Sequence, residues 1–462
     1  MRIFVAGGTG VLGRRVVRLL VAGGHEVTAM ARTPEKAAAL RTLGATPVTV
    51  DLFDAIALTD AVAGHAAVLN LATHIPSIAK GGSKGAWSEN DRIRTEGSRN
   101  LVDAAVAAGA HRYIQESIAL LYGDAGERWI DETSPLHTTD LTASALVAEA
   151  NAARFTDAGG VGVILRFAMF YGSDTSHTVD QLRLARQGIA PSVGSARSYQ
   201  TMIHIDDAAS AVVAALDAPA GVYNVAEDRP ATRADQAAAI AAALGAPPLW
   251  HPPALVAKAG GDNTAHLGAS QRVSNMTFRE ATGWSPTYPD PWSGWVQVVG
   301  AVPARPDPRG RRLLVRASLA VLGIQAAVLG CWATLAPMSF YRSFPGGGRH
   351  WVAVDGPYNH HMVTDIGALS LGLLVVTIVA FSGRSRAMVR TAGAAWVVAE
   401  APHLLYHLTH RHGLSTGDQI ASLSGLALEV VLGVVLVFAA PPPPAAASSR
   451  RAPDHDADLV TA

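Results

Sequence analysis

Residues Ile3 to Gly13 read IFVAGGTGVLG: an apolar run ends in glycines at 7, 10 and 13 and leads into Val16, Val17, Leu19 and Leu20 at helical spacing. Each glycine has a separate physical task. Gly7 lets the chain turn sharply after a strand, Gly10 lets backbone approach a diphosphate with no Cβ between them, and Gly13 lets the following helix lie close on the sheet. The unpaired N–H groups of the helix start then face the anion. A glycine triplet alone is a weak pattern. Between an N-terminal strand and an amphipathic helix it marks a dinucleotide site, with Gly7, Thr9, Gly10, Val11, Leu12 and Gly13 around the pyrophosphate.

The second strand, read as His25 to Ala31, ends where an acidic residue would hold both hydroxyls of the adenosine ribose, and Arg32 stands there instead. A guanidinium suits a 2′-phosphate and gains nothing from a bare hydroxyl, so the cofactor is read as NADP rather than NAD. The competing reading of Arg32 is a solvated loop residue. Asp51 and Leu52, after a strand read as Pro47 to Val50, and Leu71, Ala72 and Thr73, after one read as Ala67 to Leu71, complete the adenine and ribose walls.

With GGTGVLG, DLFD at 51–54, NLAT at 70–73, LLYGD at 120–124, ILRFAMFYG at 164–172, IHIDDAA at 203–209, VYNVA at 222–226 and GWSP at 283–286, residues 1–300 resemble the NAD-dependent epimerase/dehydratase family of extended short-chain dehydrogenases/reductases. The resemblance implies an α/β fold: a Rossmann-type doubly wound parallel sheet with a small substrate lobe, mainly within 173–300, over the nicotinamide. It does not by itself imply the reaction.

The family's catalytic residues are where the chain departs. There a Tyr and a Lys one helical turn apart handle the proton, the ammonium lowering the phenol's pKa. Counting back from Glu149, these positions fall on Leu141 and Ala145, and no shift of register helps, because no Tyr lies between Tyr122 and Tyr171 and no Lys between Lys84 and Lys258. The family's third partner, a Ser or Thr, corresponds to Ile118. Its neighbour Ser117 points to the opposite face of a strand. Candidate substitutes are Ser117, Tyr122, His137 and His204, each with a duller reading as packing or loop residue. Trp250, Trp284, Trp292 and Trp295 either line an apolar acceptor pocket or, for most of them, pack the lobe.

Composition changes near residue 301. AVPARPDPRGRR at 301–312 reads as a linker, and the mean hydropathy of +0.21 averages a soluble part with a strongly apolar one. Four stretches, Leu313 to Ala336, Met362 to Phe381, Met388 to Leu408 and Ile420 to Ala440, have the roughly twenty residues that cross a core about 30 Å thick. The reading is an all-α four-helix transmembrane domain over 313–440, DoxX-like in layout only, with a disordered tail at 441–462; a soluble helical domain competes with it. Arginines at 305, 309, 311, 312 and 316, and at 384, 386 and 390, place both termini and the nucleotide domain in the cytoplasm.

On the third stretch Trp396, Glu400, His403, His407 and His410 share one face, and Glu429 lies at similar depth on the fourth. Ionisable groups at such depth mark a proton path, a metal site or a quinone site, or else hold the helices together. His350, Asp355, His360 and His361 in an outer loop could add ligands, but no spacing is diagnostic of a metal. Cys331, the single cysteine, excludes disulfides, and 37 basic residues balanced by 37 acidic ones argue against nucleic acid.

The sequence therefore describes a membrane-anchored, NADP-dependent, atypical oxidoreductase or epimerase-like protein whose partners are the lipid bilayer and a small hydrophobic or membrane-resident substrate. The alternatives are a non-catalytic NADP(H) sensor controlling the membrane module, or an NADPH-to-quinone relay.

Overall fold

The computed structural model describes residues 1–76, 85–252, 266–302, 309–354, 356–383, 385–410 and 413–439. Residues 303–308 of the expected linker, the whole tail at 441–462, Asp355, Arg384 and Arg411 lie outside them. The chain divides into two compact units, Met1–Pro303 and Ala304–Ala462.

In the first unit the apolar runs of the sequence become seven parallel strands: β1 (Arg2–Ala6), β2 (Glu26–Met30), β3 (Thr46–Val48), β4 (Ala67–Asn70), β5 (Arg112–Ile118), β6 (Val161–Phe167) and β7 (Gly221–Val225). Their order is β7-β6-β5-β4-β1-β2-β3. A strand covered on both faces is apolar at every position. On β1, Ile3 and Val5 pack with Val16, Val17 and Leu20 of helix α1 (Val11–Ala22), while Phe4 and Ala6 pack with Leu58, Val62 and Leu101 on the other side. The strand order reverses between β1 and β4, opening the crevice at the carboxyl ends of the strands where such sheets bind ligands.

One boundary differs from the sequence reading. The segment from 173 onward is not all lobe: β7 is an edge strand of the main sheet, paired with β6 from Gly221 opposite Val163 to Val225 opposite Phe167. Helix α3 (Ile205–Ala214) packs beside α1 in the sheet's own core. The apolar VYNV run needs burial on both faces, and the only sheet that supplies it among the described residues is the large one. The remaining lobe core gathers Tyr171, Leu182, Met202, Ile240, Trp295 and Val298. Trp284 and Trp295 are buried in packing, with indole N–H groups donating to Ser210 Oγ and Gln236 Oε1, whereas Trp250 and Trp292 are exposed.

The second unit is helical: α4 (Arg309–Leu335), α5 (His360–Ser382), α6 (Arg386–Thr409) and α7 (Thr416–Ala439), with a short helix Pro337–Ser343 after α4. Three of these, over Gly310–Leu335, His360–Ser382 and Thr416–Ala439, are long and apolar enough to cross a membrane. The third expected span, α6, is long but not apolar enough: it carries Arg386, Arg390 and Glu400, and Pro402 interrupts its hydrogen-bond ladder. Arg311 has a local task besides any role in orientation, donating to the carbonyls of Phe438 and Ala439 at the end of α7.

Candidate nucleotide site and its missing acid

The phosphate loop is shaped for a ligand's close approach. Gly7 has a φ of +82°, and a Cβ there would fall 2.4 Å from Leu71 O; a Cβ on Gly13 would fall 2.1 Å from Gly7 O. The Gly10 N–H closes the turn on Gly7 O at 3.0 Å. Gly10 is also the cap of α1, which has no side-chain cap and no acidic residue in its first turn, so its first N–H groups are left for an anion. Thr9 and Val11 are half-buried at the rim, while Leu12 and Gly13 are buried beneath it.

The other predicted cofactor residues gather along the same edge of the sheet, after β2, β3 and β4. Arg32 directly follows buried Ala31; its side chain is 62% exposed, with Nη1 3.9 Å from Glu89 Oε1, so it is free to turn toward a phosphate. Asp51 accepts the Phe53 N–H, and Leu52 is buried with its carbonyl held by Asn100 Nδ2 at 3.2 Å. Leu71 is buried, its N–H bound to Ala6 O; Ala72 donates to Asn70 Oδ1; Thr73 is exposed. Beside this rim Arg14 and Arg15, one residue and two beyond Gly13, both pair with Asp174, and Arg15 also with Asp206, pinning α1 to the turns after residue 172 and at the start of α3. These pairs were not read from the sequence, which shows only two arginines on an exposed helix face.

The candidate proton donors behave differently. Leu141 is half-buried and Ala145 fully buried, the latter on helix α2 (Ala143–Asp157). Ser117, Arg166 and Asn224 sit opposite one another on β5, β6 and β7 and therefore share a face of the sheet. Glu149 of α2 closes over them, accepting one hydrogen bond from Ser117 Oγ at 2.6 Å and two from Arg166 at 2.9 and 2.7 Å. Arg166 Nη1 donates to Tyr122 OH at 2.9 Å, and that hydroxyl donates to Asn224 Oδ1 at 2.9 Å. Ser117 and Tyr122 are both 0% exposed. Burial holds the Tyr122 phenol above its ordinary pKa, despite the adjacent guanidinium. The Tyr122 hydroxyl is thus buried, engaged as both donor and acceptor, and a weaker acid than a free phenol. The Glu149–Arg166 pair was legible in one respect: an arginine inside the buried run ILRF demands a counter-charge.

His204 is 1% exposed; its Nδ1 accepts the Asp206 N–H to cap α3, and Nε2 meets Gln297 Oε1 at 3.0 Å. Burial lowers its pKa. His137 is exposed, its backbone N–H bound to Leu121 O at 2.8 Å and its ring 5.7 Å from that of His266.

In the helical unit the predicted polar face is partly brought together. Glu400 Oε2 lies 3.1 Å from His403 Nδ1, the His403 and His407 rings are 5.0 Å apart, and Glu429 accepts from Gln325 of α4. Trp396 turns its N–H to Thr377 Oγ1 at 2.9 Å. His361 pairs with Asp365, and His350 with the Arg342 carbonyl. Among the described residues no three His, Cys, Asp or Glu side chains converge as a metal site.

Residues 3–226 match the model of the NAD dependent epimerase/dehydratase family. A Streptomyces 3-diazoavenalumate denitrifying reductase is 33% identical over 300 residues, spanning 63% of this chain and 97% of the relative. A 2-alkyl-3-oxoalkanoate reductase of Stenotrophomonas maltophilia is 30% identical over 268 residues, spanning 54% of this chain and 77% of the relative. Human epimerase family protein SDR39U1, solved with NADPH, shares the fold at a TM-score of 0.54 and 24% identity, over 65% of this chain and 99% of that one. Thermus thermophilus UDP-glucose 4-epimerase, solved with NAD, does so at 0.53 and 21%, over 65% and 98%.

Proposed function

The chain belongs to the NAD dependent epimerase/dehydratase family through its N-terminal unit, and from that premise we propose an NADP(H)-dependent reductase whose acceptor takes hydride without a proton from the protein. Gly7, Gly10 and Gly13 fit a nicotinamide dinucleotide, since any Cβ at 7 or 13 would collide with backbone where the diphosphate loop closes. Arg32 supports NADP over NAD by offering, after β2, a largely exposed guanidinium whose ion pair with Glu89 is long at 3.9 Å. When bound, the reduced cofactor supplies a hydride.

The observation that carries the reading is the sealed cluster of Ser117, Glu149, Arg166, Tyr122 and Asn224, together with apolar Leu141 and Ala145 at the family's acid–base positions. A ketone that gains hydride becomes an alkoxide and must be given a proton. An aryl diazonium cation that gains hydride at nitrogen becomes a neutral diazene, which loses N₂ and keeps the hydrogen on carbon, so atoms and charge balance with no general acid. The Streptomyces relative's name, a denitrifying reductase of a diazo compound, supports this acceptor class. The three apolar helices support attachment to a membrane, and the arginines at 309, 311, 312 and 316 at the start of the first of them support a cytoplasmic nucleotide unit.

The test is NADPH oxidation by the full-length protein with an aryl diazonium salt and with a matched aryl ketone, using cofactor deuterated at the transferable position. Turnover of the diazonium with deuterium in the arene, unchanged in His137→Gln, is the expected result. Preference for the ketone, with activity lost in His137→Gln, would overturn it in favour of a histidine acid. NADPH binding without oxidation by either acceptor would favour the sensor.

A further inference from the structure

We propose that Glu400 and Glu429 form one proton-binding site inside the helical unit, reached from the Thr409–His410 end of α6 through His403 and His407. Helices α6 and α7 approach closely at Gly393 and Gly433, where a Cβ on Gly393 would lie 2.6 Å from Gly433 O. A Cβ on Gly433 would meet Val397 Cγ2 at 2.9 Å and Trp396 Cβ at 3.3 Å, so in this antiparallel pair Glu429, one turn before Gly433, comes level with Glu400, one turn after Trp396. Glu429 is 5% exposed and also accepts from Gln325 of α4. Glu400, 15% exposed, extends the contact to His403 Nδ1 at 3.1 Å, and His403 is 52% exposed. His407 follows at 5.0 Å between ring centroids, and Tyr406 stacks on His410 at 4.3 Å at the helix end. Exposure rises from the buried pair to His403; half-buried His407 then lies between it and exposed His410, in steps that an imidazole, able to accept at one nitrogen and donate at the other, can bridge.

On α6 the imidazole of His403 contacts Glu400 and that of His407 follows it. Gln325 from α4 is uncharged, and the neighbouring contact from α5 is the Thr377 hydroxyl on Trp396. Two carboxyl groups facing each other between apolar helices repel as a dianion and share a proton readily. A proton also needs no cavity, and three converging metal ligands are absent among the described residues.

The experiment is infrared difference spectroscopy of the full-length protein in lipid vesicles, stepping pH and exchanging H₂O for D₂O. A carboxylic-acid carbonyl band that titrates, is lost in Glu400→Gln/Glu429→Gln, moves in Glu429→Asp, and exchanges more slowly in His403→Phe is the expected result. No such band in wild type, or a band unaltered by the glutamate substitutions, would overturn the site. Exchange unaffected by His403→Phe would overturn the route. Resistance to carbonate extraction separately tests whether the unit lies in lipid, so failure of that reading is distinguishable from failure of this one.

Discussion

Replacing Arg166 with Met strands a carboxylate. Glu149 accepts three hydrogen bonds, at 2.6, 2.9 and 2.7 Å, two of them from Arg166. The side chains of the pair are only 6% and 9% exposed, so water cannot replace the lost guanidinium. Removing one partner of a buried pair costs about 3–5 kcal/mol. At about 2 °C of Tm per kcal/mol, the low end for large domains and the one that suits the unit Met1–Pro303, the nucleotide unit should melt roughly 6–10 °C lower. Glu149→Leu together with Arg166→Met leaves no charge stranded and should recover most of this loss, because apolar replacement of both partners is often close to neutral. Thermal unfolding followed by tryptophan fluorescence, NADPH affinity and NADPH oxidation should be measured on all three proteins. If the cluster is architecture, the double variant binds NADPH and turns over like the wild type. A single variant within about 1 kcal/mol of wild type would refute the energetic reasoning. A stable double variant that binds NADPH but transfers no hydride would show that the cluster belongs to the chemistry.

Gly13→Ala, whose Cβ would fall 2.1 Å from Gly7 O, should abolish detectable NADPH binding by fluorescence titration while leaving the helical unit's circular dichroism intact. Arg32→Ala should weaken NADPH by about 10- to 100-fold, or roughly 1.4–2.8 kcal/mol, and leave NADH affinity unchanged; equal losses for both cofactors would remove Arg32 from the 2′-phosphate. Glu227 is 1% exposed and neither carboxyl oxygen has a good hydrogen-bond partner. Burial, with Asp290 and Asp207 nearby, pushes its carboxyl well above the ordinary value. The folded state therefore holds a proton that the unfolded state releases above about pH 4.3, so wild-type stability falls as pH rises from there toward the folded-state pKa. Glu227→Gln should flatten that fall and be the more stable protein at pH 8 by about 1–3 kcal/mol in denaturant titrations; parallel pH curves would contradict it.

Local rules made the nucleotide edge legible. Strand, glycine spacing and helix start all lie within a dozen residues of one another, and Arg32, Asp51 and Leu71 follow their strands directly. Backbone sterics act over that range, so Gly7 and Gly13 could be assigned their tasks before any packing was known. The loss of the Tyr/Lys pair was equally visible, because it depends only on which residues occupy a helix. The fate of Ser117 and Tyr122 was not. Whether a hydroxyl is available or consumed depends on Glu149, Arg166 and Asn224, which lie 27 to 107 residues away from these two in sequence and meet only because β5, β6 and β7 are neighbours.

The sequence determined the dinucleotide-binding edge, the absence of the usual acid–base residues and the change of composition near residue 301, since each is written in adjacent side chains or in their period. Tertiary structure alone decided that VYNV joins the main sheet, that Arg14 and Arg15 tie α1 to Asp174, that the leftover hydroxyls are sealed beneath Glu149, and that the glycine seam brings Glu429 level with Glu400. Those outcomes turn on burial and on charge pairing between distant segments, and a side chain's solvent and partners exist only once the chain has closed around it.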